Sequence, residues 1–287
     1  MLYLDYYGLK EKPFHGSANP NYFWLGEGQS EAISILNYGI ETGDGITVLT
    51  GDIGTGKTTL VKFLARHHNH EFKIANIDDS NIESADFLYF IADSLNLPHS
   101  FDDKKSFFKY VEEEYSKTKK RMLIILDEAH RSTKSLLGDL DLMAKIKRGK
   151  KPLINLVLVG QKSLIELIKE LPRYDIKQKA PIICYLRSLT KSETNEYIKH
   201  RLKIAGTKRK LFSPRAIGKI FQYAGGIPRV INTICDHALM IGYSTDLKEI
   251  KSFVIKECAE DLLIENYAPD NTKHSHSQDY GFAKQQY

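Results

Sequence analysis

The stretch Gly51-Asp-Ile-Gly-Thr-Gly-Lys57-Thr58 sets three glycines, a lysine and a hydroxyl side chain at the spacing GxxxxGK[ST]. Glycines without a Cβ let successive backbone N–H groups turn inward, and inward N–H groups make a cradle for an anion. A lysine at the end of the loop adds a point positive charge, and a threonine hydroxyl supplies an oxygen ligand for a hard divalent cation. The chemistry this suits is the binding of ATP with Mg²⁺. Gly51, Asp52, Ile53, Gly54, Thr55, Gly56, Lys57, Thr58 and Thr59 form the expected nucleotide-binding set, with Lys57 reaching the β- and γ-phosphates.

A second set lies at Arg121-Met-Leu-Ile-Ile-Leu-Asp127-Glu128, an apolar run that ends in two carboxylates. At the C-terminal edge of a parallel sheet such a pair faces the ligand crevice. Asp127, with Thr58, is the expected holder of Mg²⁺, and Glu128 is placed to polarise the attacking water. Asp127-Glu-Ala-His130 also spells the tetrapeptide of one helicase family. A helicase of that kind needs a second α/β domain with its own arginine motif, and the helical sequence after Leu186 cannot supply one. No NKxD motif for reading guanine is present, which disfavours GTP.

These residues need strands and helices in alternation to hold them. Short β-branched runs at Ile46–Thr50, Phe72–Ile77, Met122–Leu126, Leu153–Val159 and Ile182–Leu186 predict strands. Helical periodicity lies between them at Gln29–Thr42, Lys57–His68, Ser84–Leu95, Lys104–Thr118, Lys134–Lys147 and Lys162–Lys169. The pattern predicts an α/β fold with a doubly wound, mainly parallel sheet. The lysine motif falls where it should, after a strand and at the opening of a helix.

After Leu186 the strand signals stop. Thr190 with Glu193 reads as a capping box, Ser213-Pro214 as a helix start, and Ala224-Gly-Gly-Ile-Pro228 as a break between helices. The expected division is therefore an N-terminal segment and first helix packing on the core (1–44), an α/β domain (45–187), a small all-α lid (188–264) and a polar, disordered tail (265–287). The aromatics Tyr3, Tyr6, Tyr7, Phe14, Tyr22, Phe23 and Trp24 are expected to pack on the α/β domain.

The chain of 287 residues has 42% hydrophobic and 27% charged residues, a composition that excludes fibrous and disordered classes. Its three cysteines, Cys184, Cys235 and Cys258, have no metal-ligand spacing and read as reduced thiols. No apolar run approaches the ~20 residues that span a bilayer, so a cytoplasmic location is expected. The formal charge of +5 hides an asymmetry: residues 173–215 hold 12 Lys/Arg against 3 Asp/Glu. A basic stretch of this kind predicts an acidic partner, nucleic acid first.

Together the motifs resemble the AAA+ superfamily, and within it the ATPases related to general secretion pathway protein A. The resemblance runs through Tyr7–Phe14, Asn21–Gly28, Val48–Thr58, Leu126–His130, Leu156–Gln161, Ser192–Leu202 and Gly225–Arg229. It implies a P-loop AAA+ sheet with an all-α lid, a homo-oligomer with sites between subunits, and ATP hydrolysis whose rate depends on a partner. It implies a catalytic role for Gln161 as the polar sensor of the γ-phosphate and for Arg229 as the second sensor in the lid, and places Asn21–Gly28 beside the adenine. Arg173 or Lys179 would be the finger reaching a neighbouring subunit, although neither falls cleanly on the family pattern.

The resemblance leaves several functions open: an ATP-dependent switch on DNA or a DNA-bound complex, an ATPase assisting assembly of a secretion or pilus system, or a nucleotide-dependent scaffold with little turnover. The expected nucleic-acid contacts are Lys145, Lys147, Arg148, Lys150 and Lys151, five basic residues within a seven-residue turn.

Overall fold

The structure, a computed structural model, describes residues 2–16, 19–42, 46–78, 83, 86–97, 100–149, 151–170 and 181–264. In chain order the elements are α1 (Leu2–Tyr7), α2 (Glu27–Thr42), β1 (Ile46–Thr50), α3 (Lys57–His68), β2 (Phe72–Ile77), α4 (Phe87–Ser94), α5 (Lys104–Thr118) and β3 (Arg121–Leu126). They continue with α6 (Lys134–Ala144), β4 (Lys147–Arg148), β5 (Lys151–Pro152), β6 (Ile154–Gly160), α7 (Ser163–Lys169), β7 (Ile182–Tyr185), α8 (Lys191–Ile204), α9 (Pro214–Ala224), α10 (Pro228–Ser244) and α11 (Ser252–Asp261). The chain divides into two compact units, Gly16–Ser188 and the combination of Met1–His15 with the chain from Leu189 onward.

The first unit is built on a five-stranded sheet of order β2-β3-β6-β1-β7, every pair parallel. Parallel strands buried on both faces alternate their side chains with period two. Met122, Ile124 and Leu126 of β3, with Ile154, Leu156 and Leu158 of β6, point to one face and meet Phe87, Phe107, Leu136 and Leu140 of α4, α5 and α6. Leu123, Ile125, Val157 and Val159 point to the other face, where Leu36 and Ile40 of α2 and Leu60 and Leu64 of α3 cover them. A buried asparagine fixes one helix to this sheet: the Asn155 side-chain amide donates to the Ile40 carbonyl at 2.7 Å.

Two departures from the predicted elements have local causes. The helix expected to reach Lys147 ends at Ala144, because Leu153 N–H bonds to Ile146 O and closes an antiparallel hairpin of β4 and β5 whose turn residue Gly149 has φ +64°. The basic turn is therefore a hairpin. The helix predicted from Ser84 is described from Phe87, and Ser84 itself lies outside the described residues.

The second unit is helical. Both predicted caps form: Thr190 and Glu193 bond reciprocally at the start of α8, and Ser213 caps α9 ahead of Pro214. Gly225 (φ +57°) ends α9, and Gly226 (φ +74°) lies so close to the Leu189 backbone that a Cβ there would stand 1.9 Å from its carbonyl oxygen. Gly226 O accepts from Leu189 N–H at 2.9 Å. The turn thus fixes where α10 begins.

The expectation that the N-terminal segment within 1–44 packs on the α/β core is corrected for the residues up to His15, while α2 does pack on the sheet. Residues up to His15 group with the helical unit, where Tyr3, Tyr7, Leu9 and Phe14 are buried. The Tyr7 hydroxyl donates to Leu247 O at 3.0 Å, the Tyr3 hydroxyl to Asp236 at 3.1 Å, and Phe14 meets Phe212 edge-on at 6.0 Å. Tyr22, Phe23 and Trp24 do belong to the α/β unit, with Phe23 stacked on Phe63 of α3 at 4.4 Å. The three cysteines are free and buried. Among the described residues no helix is long and apolar enough to cross a membrane.

Candidate nucleotide site

The site lies at the C-terminal edge of the parallel sheet, where the strand order brings three strand ends together. Thr50 closes β1 opposite Gly160 of β6, and Leu126 closes β3 opposite Leu158 of the same strand. Because β6 is inserted between β1 and β3, Gln161 emerges between the lysine loop and Asp127. Sequence spacing alone does not reveal that insertion.

The loop has the geometry of an anion cradle. Gly54 (φ +82°) and Gly56 (φ +99°) take left-handed conformations that a side chain would resist. Gly51 passes so close to Leu186 that a Cβ would lie 2.6 Å from its carbonyl oxygen. Gly56 is the N-cap of α3 and supplies no side chain to the first-turn N–H groups, which leaves them for a ligand. The Thr55 hydroxyl ties the loop by donating to Asp52 O at 2.8 Å. The Lys57 ammonium is buried and donates to the carbonyls of Gly51 and Asp52, each at 2.9 Å. It is thus held over the cradle where phosphate oxygens would compete for it.

Asp127 is 3% exposed. One of its oxygens accepts from the Thr58 hydroxyl at 2.5 Å and the other from the Glu128 backbone N–H at 2.8 Å. Burial holds its pKa above the ordinary carboxylate value, against the opposing pull of those two hydrogen bonds. The pair fits a magnesium ion, since both side chains offer hard oxygen and the carboxylate keeps acceptor capacity beyond its two bonds.

Glu128 adopts a left-handed backbone (φ 51°, ψ 26°), which for a non-glycine residue costs roughly 1 kcal/mol and is concentrated at functional sites. This conformation turns the chain out of β3 into a 3-10 turn, Ala129–Arg131, and leaves the Glu128 carboxylate partly exposed near His130 and Arg131 at 3.8 and 3.9 Å. The same turn folds His130 back onto the end of β6. Gly160 permits the approach, since a Cβ there would sit 3.1 Å from His130 N. The Gln161 amide then donates to His130 Nε2 at 2.9 Å.

The sequence-predicted set Gly51–Thr59, Asp127, Glu128 and Gln161 therefore lies around one sheet edge. Arg229 is exposed in the first turn of α10, in the helical unit. Arg173, Lys179 and Lys150 lie outside the described residues. Two neighbours escaped the sequence. His130 carried a signal in its tetrapeptide, three residues after Asp127. Tyr185, whose hydroxyl donates to Asp52 at 3.0 Å while Lys162 lies 4.8 Å over its ring, carried none beyond its place at a strand end.

A parallel sheet of this order, with the lysine loop, the buried aspartate and a polar residue on the intervening strand, followed by a helical unit, defines an AAA+ P-loop protein. Residues 40–168 match the family described as AAA domain. The chain is 32% identical over 247 residues, 85% of its length, to general secretion pathway protein A of Aeromonas hydrophila, and spans 45% of that protein. It is similar in structure to Cdc6p from Pyrobaculum aerophilum (TM-score 0.67, 17% identity, covering 81% of this chain and 66% of that one). It is also similar to Drosophila ORC bound to DNA (TM-score 0.57, 13% identity, covering 83% and 60%). At such identities these two show the fold alone. Residues 40–168 thus carry an AAA domain, and the chain resembles general secretion pathway protein A over most of its own length while spanning less than half of that protein.

Proposed function

We propose that this chain binds ATP with Mg²⁺ in the Gly51–Thr59 loop, hydrolyses it, and uses the nucleotide state in an oligomer to control DNA or a DNA-bound complex. The observation that carries the hydrolytic reading is the junction of Thr58 with Asp127, which joins the phosphate loop to the strand that presents Glu128. Lys57 leaves its loop carbonyls for phosphate oxygens, and the first-turn N–H groups of α3 hold the β-phosphate. Thr58 and Asp127 would hold the magnesium, whose charge screens the phosphates. Glu128, exposed enough to meet water, orients and deprotonates it, and Gln161 donates to the terminal phosphate. Asn21 and Phe23 anchor on α3 through Arg66 and Phe63, which supports 21–28 as the base-side wall. Arg229 is assigned to closure over the nucleotide, and Arg173 or Lys179 to the neighbouring subunit's site.

The DNA arm rests on the β4–β5 hairpin. Lys147, Arg148 and Lys151 are exposed there, while Lys145 is drawn to Asp141 at 2.6 Å and Arg148 leans on Tyr115 and Ser116. Exposed cations on a short hairpin can track phosphates without reading bases. The 32% identity to general secretion pathway protein A favours a second reading, in which the same ATPase assists assembly of a secretion or pilus system.

The deciding experiment is steady-state ATP hydrolysis with and without double-stranded DNA at low and moderate salt, with Glu128→Gln as the blank. Turnover that rises with DNA and falls with salt supports the first reading. Turnover indifferent to DNA transfers the function to a protein partner, and nucleotide binding without turnover leaves a scaffold.

A further inference from the structure

We propose that His130 is a positioning residue that joins Gln161 to Glu128, so that the side chain assigned to the terminal phosphate also fixes the carboxylate assigned to the water. This rests on the hydrolytic reading above. His130 occupies the middle of the 3-10 turn after Glu128, and its side chain is 10% exposed. An amide nitrogen only donates, so His130 Nε2 must be the acceptor of the 2.9 Å bond from Gln161. An imidazole that accepts at Nε2 carries its proton on Nδ1. That Nδ1 is buried, has no hydrogen-bond partner among the described residues, and stands 3.8 Å from the Glu128 carboxylate. A buried donor without a partner, 3.8 Å from a partly exposed carboxylate, is completed by a small rotation of Glu128.

Burial lowers the His130 pKa and keeps the ring in the neutral form that this bond requires, although Glu128 pulls the other way. Gln161 has two amide protons, so one can stay on His130 while the other meets the terminal phosphate. The three side chains then form one connected series, phosphate to Gln161 to His130 to Glu128. Glu128 is oriented best when Gln161 is itself anchored.

His130→Ala is expected to lower kcat by about 10–100-fold, with KM for ATP within about 2-fold, because the residue touches no nucleotide. Gln161→Ala should lower kcat similarly, and the double variant should be no worse than the poorer single one. His130→Asn, whose amide nitrogen takes the place of Nδ1, should recover most of the turnover lost in His130→Ala, while Gln161→Ala in that background still loses its contact with the terminal phosphate. Nitrogen NMR of the His130 ring should show the Nδ1–H tautomer in the wild-type protein and a mixed ring in Gln161→Ala, which reports the bond from Gln161. Additive losses, an Nε2–H tautomer in the wild type, or wild-type turnover in His130→Ala overturn the assignment alone. A wild-type protein that binds Mg·ATP and never turns it over overturns both the hydrolytic reading and this one.

Discussion

Asp127 in the α/β unit and Arg201 in the helical unit are both charged side chains exposed by less than 5%, and they are satisfied in opposite ways. Arg201, on α8, donates from Nε to Pro13 O at 2.6 Å, from Nη2 to His15 O at 3.2 Å and from Nη1 to the Tyr197 hydroxyl at 2.8 Å. Tyr197 passes the chain on to Asn232 of α10 at 3.0 Å. Each nitrogen of the guanidinium has a fixed partner, and the carbonyls it holds come from the N-terminal segment. Asp127 is held by one hydroxyl and its neighbour's N–H, and burial leaves its ionised form disfavoured. A saturated buried charge organises a fold, whereas an undersatisfied one is poised for a ligand.

The sharpest way to break this contrast is to remove the reacting groups. Glu128→Gln and Lys57→Ala should each lower ATP turnover at least about 10³-fold, about 4 kcal/mol in barrier, while Glu128→Gln melts within about 2 °C of wild type. If Glu128→Gln unfolds instead, the site is architectural and the comparison fails. Next comes Arg201→Met, which keeps bulk but strands the carbonyls of Pro13 and His15. It should cost about 3 kcal/mol of stability and lower the melting temperature by about 6–12 °C, read by calorimetry, with turnover per folded molecule changed far less. A melting temperature unchanged in that variant would mean that the N-terminal segment is not tied down through Arg201.

Which of these residues could be read in the chain follows from how local their signals are. The lysine loop, both carboxylates and the bounds of β1 and β2 are local, because glycine spacing and β-branched runs bounded by turn residues act over a few positions. The insertion of β6 between β1 and β3 is set by long-range pairing, so the adjacency of Gln161 to Asp127 could be had only from resemblance. The β4–β5 hairpin has two-residue strands, too short to show alternation, and its lysines extended the helical pattern of α6 instead. The N-terminal aromatics were recognisable as core residues, but nothing in a run of tyrosines says which of two cores they enter. Arg201 is one basic residue among twelve in 173–215, and only its burial separates it from the others.

A third prediction extends the contrast to charges that are neither buried nor saturated. Lys147→Ala with Lys151→Ala should weaken binding to double-stranded DNA several-fold and reduce the slope of log K against log salt by about 1.8, close to 0.9 for each phosphate that is no longer neutralised. Equal slopes for the variant and the wild type, measured by fluorescence anisotropy across a salt series, would remove the hairpin from the DNA arm.

The smallest effect tests Asp127 itself, through stability rather than rate. A carboxyl whose pKa is higher in the folded than in the unfolded chain favours folding below the unfolded value, and that contribution is lost as pH rises through the folded value. At neutral pH the ionised, buried Asp127 therefore weighs against the nucleotide-free fold. Asp127→Asn keeps an oxygen for the Thr58 hydroxyl and removes the charge, so the nucleotide-free variant should melt about 1–3 °C above wild type at pH 7. The gain should narrow as pH falls toward the ordinary carboxylate range, where both forms of the wild-type chain become protonated. Adding Mg·ATP should reverse the order, since a ligand that binds only the wild-type site stabilises it by mass action. A variant that is less stable than wild type without nucleotide would show Asp127 to be saturated like Arg201, and the distinction between the two buried charges would be gone.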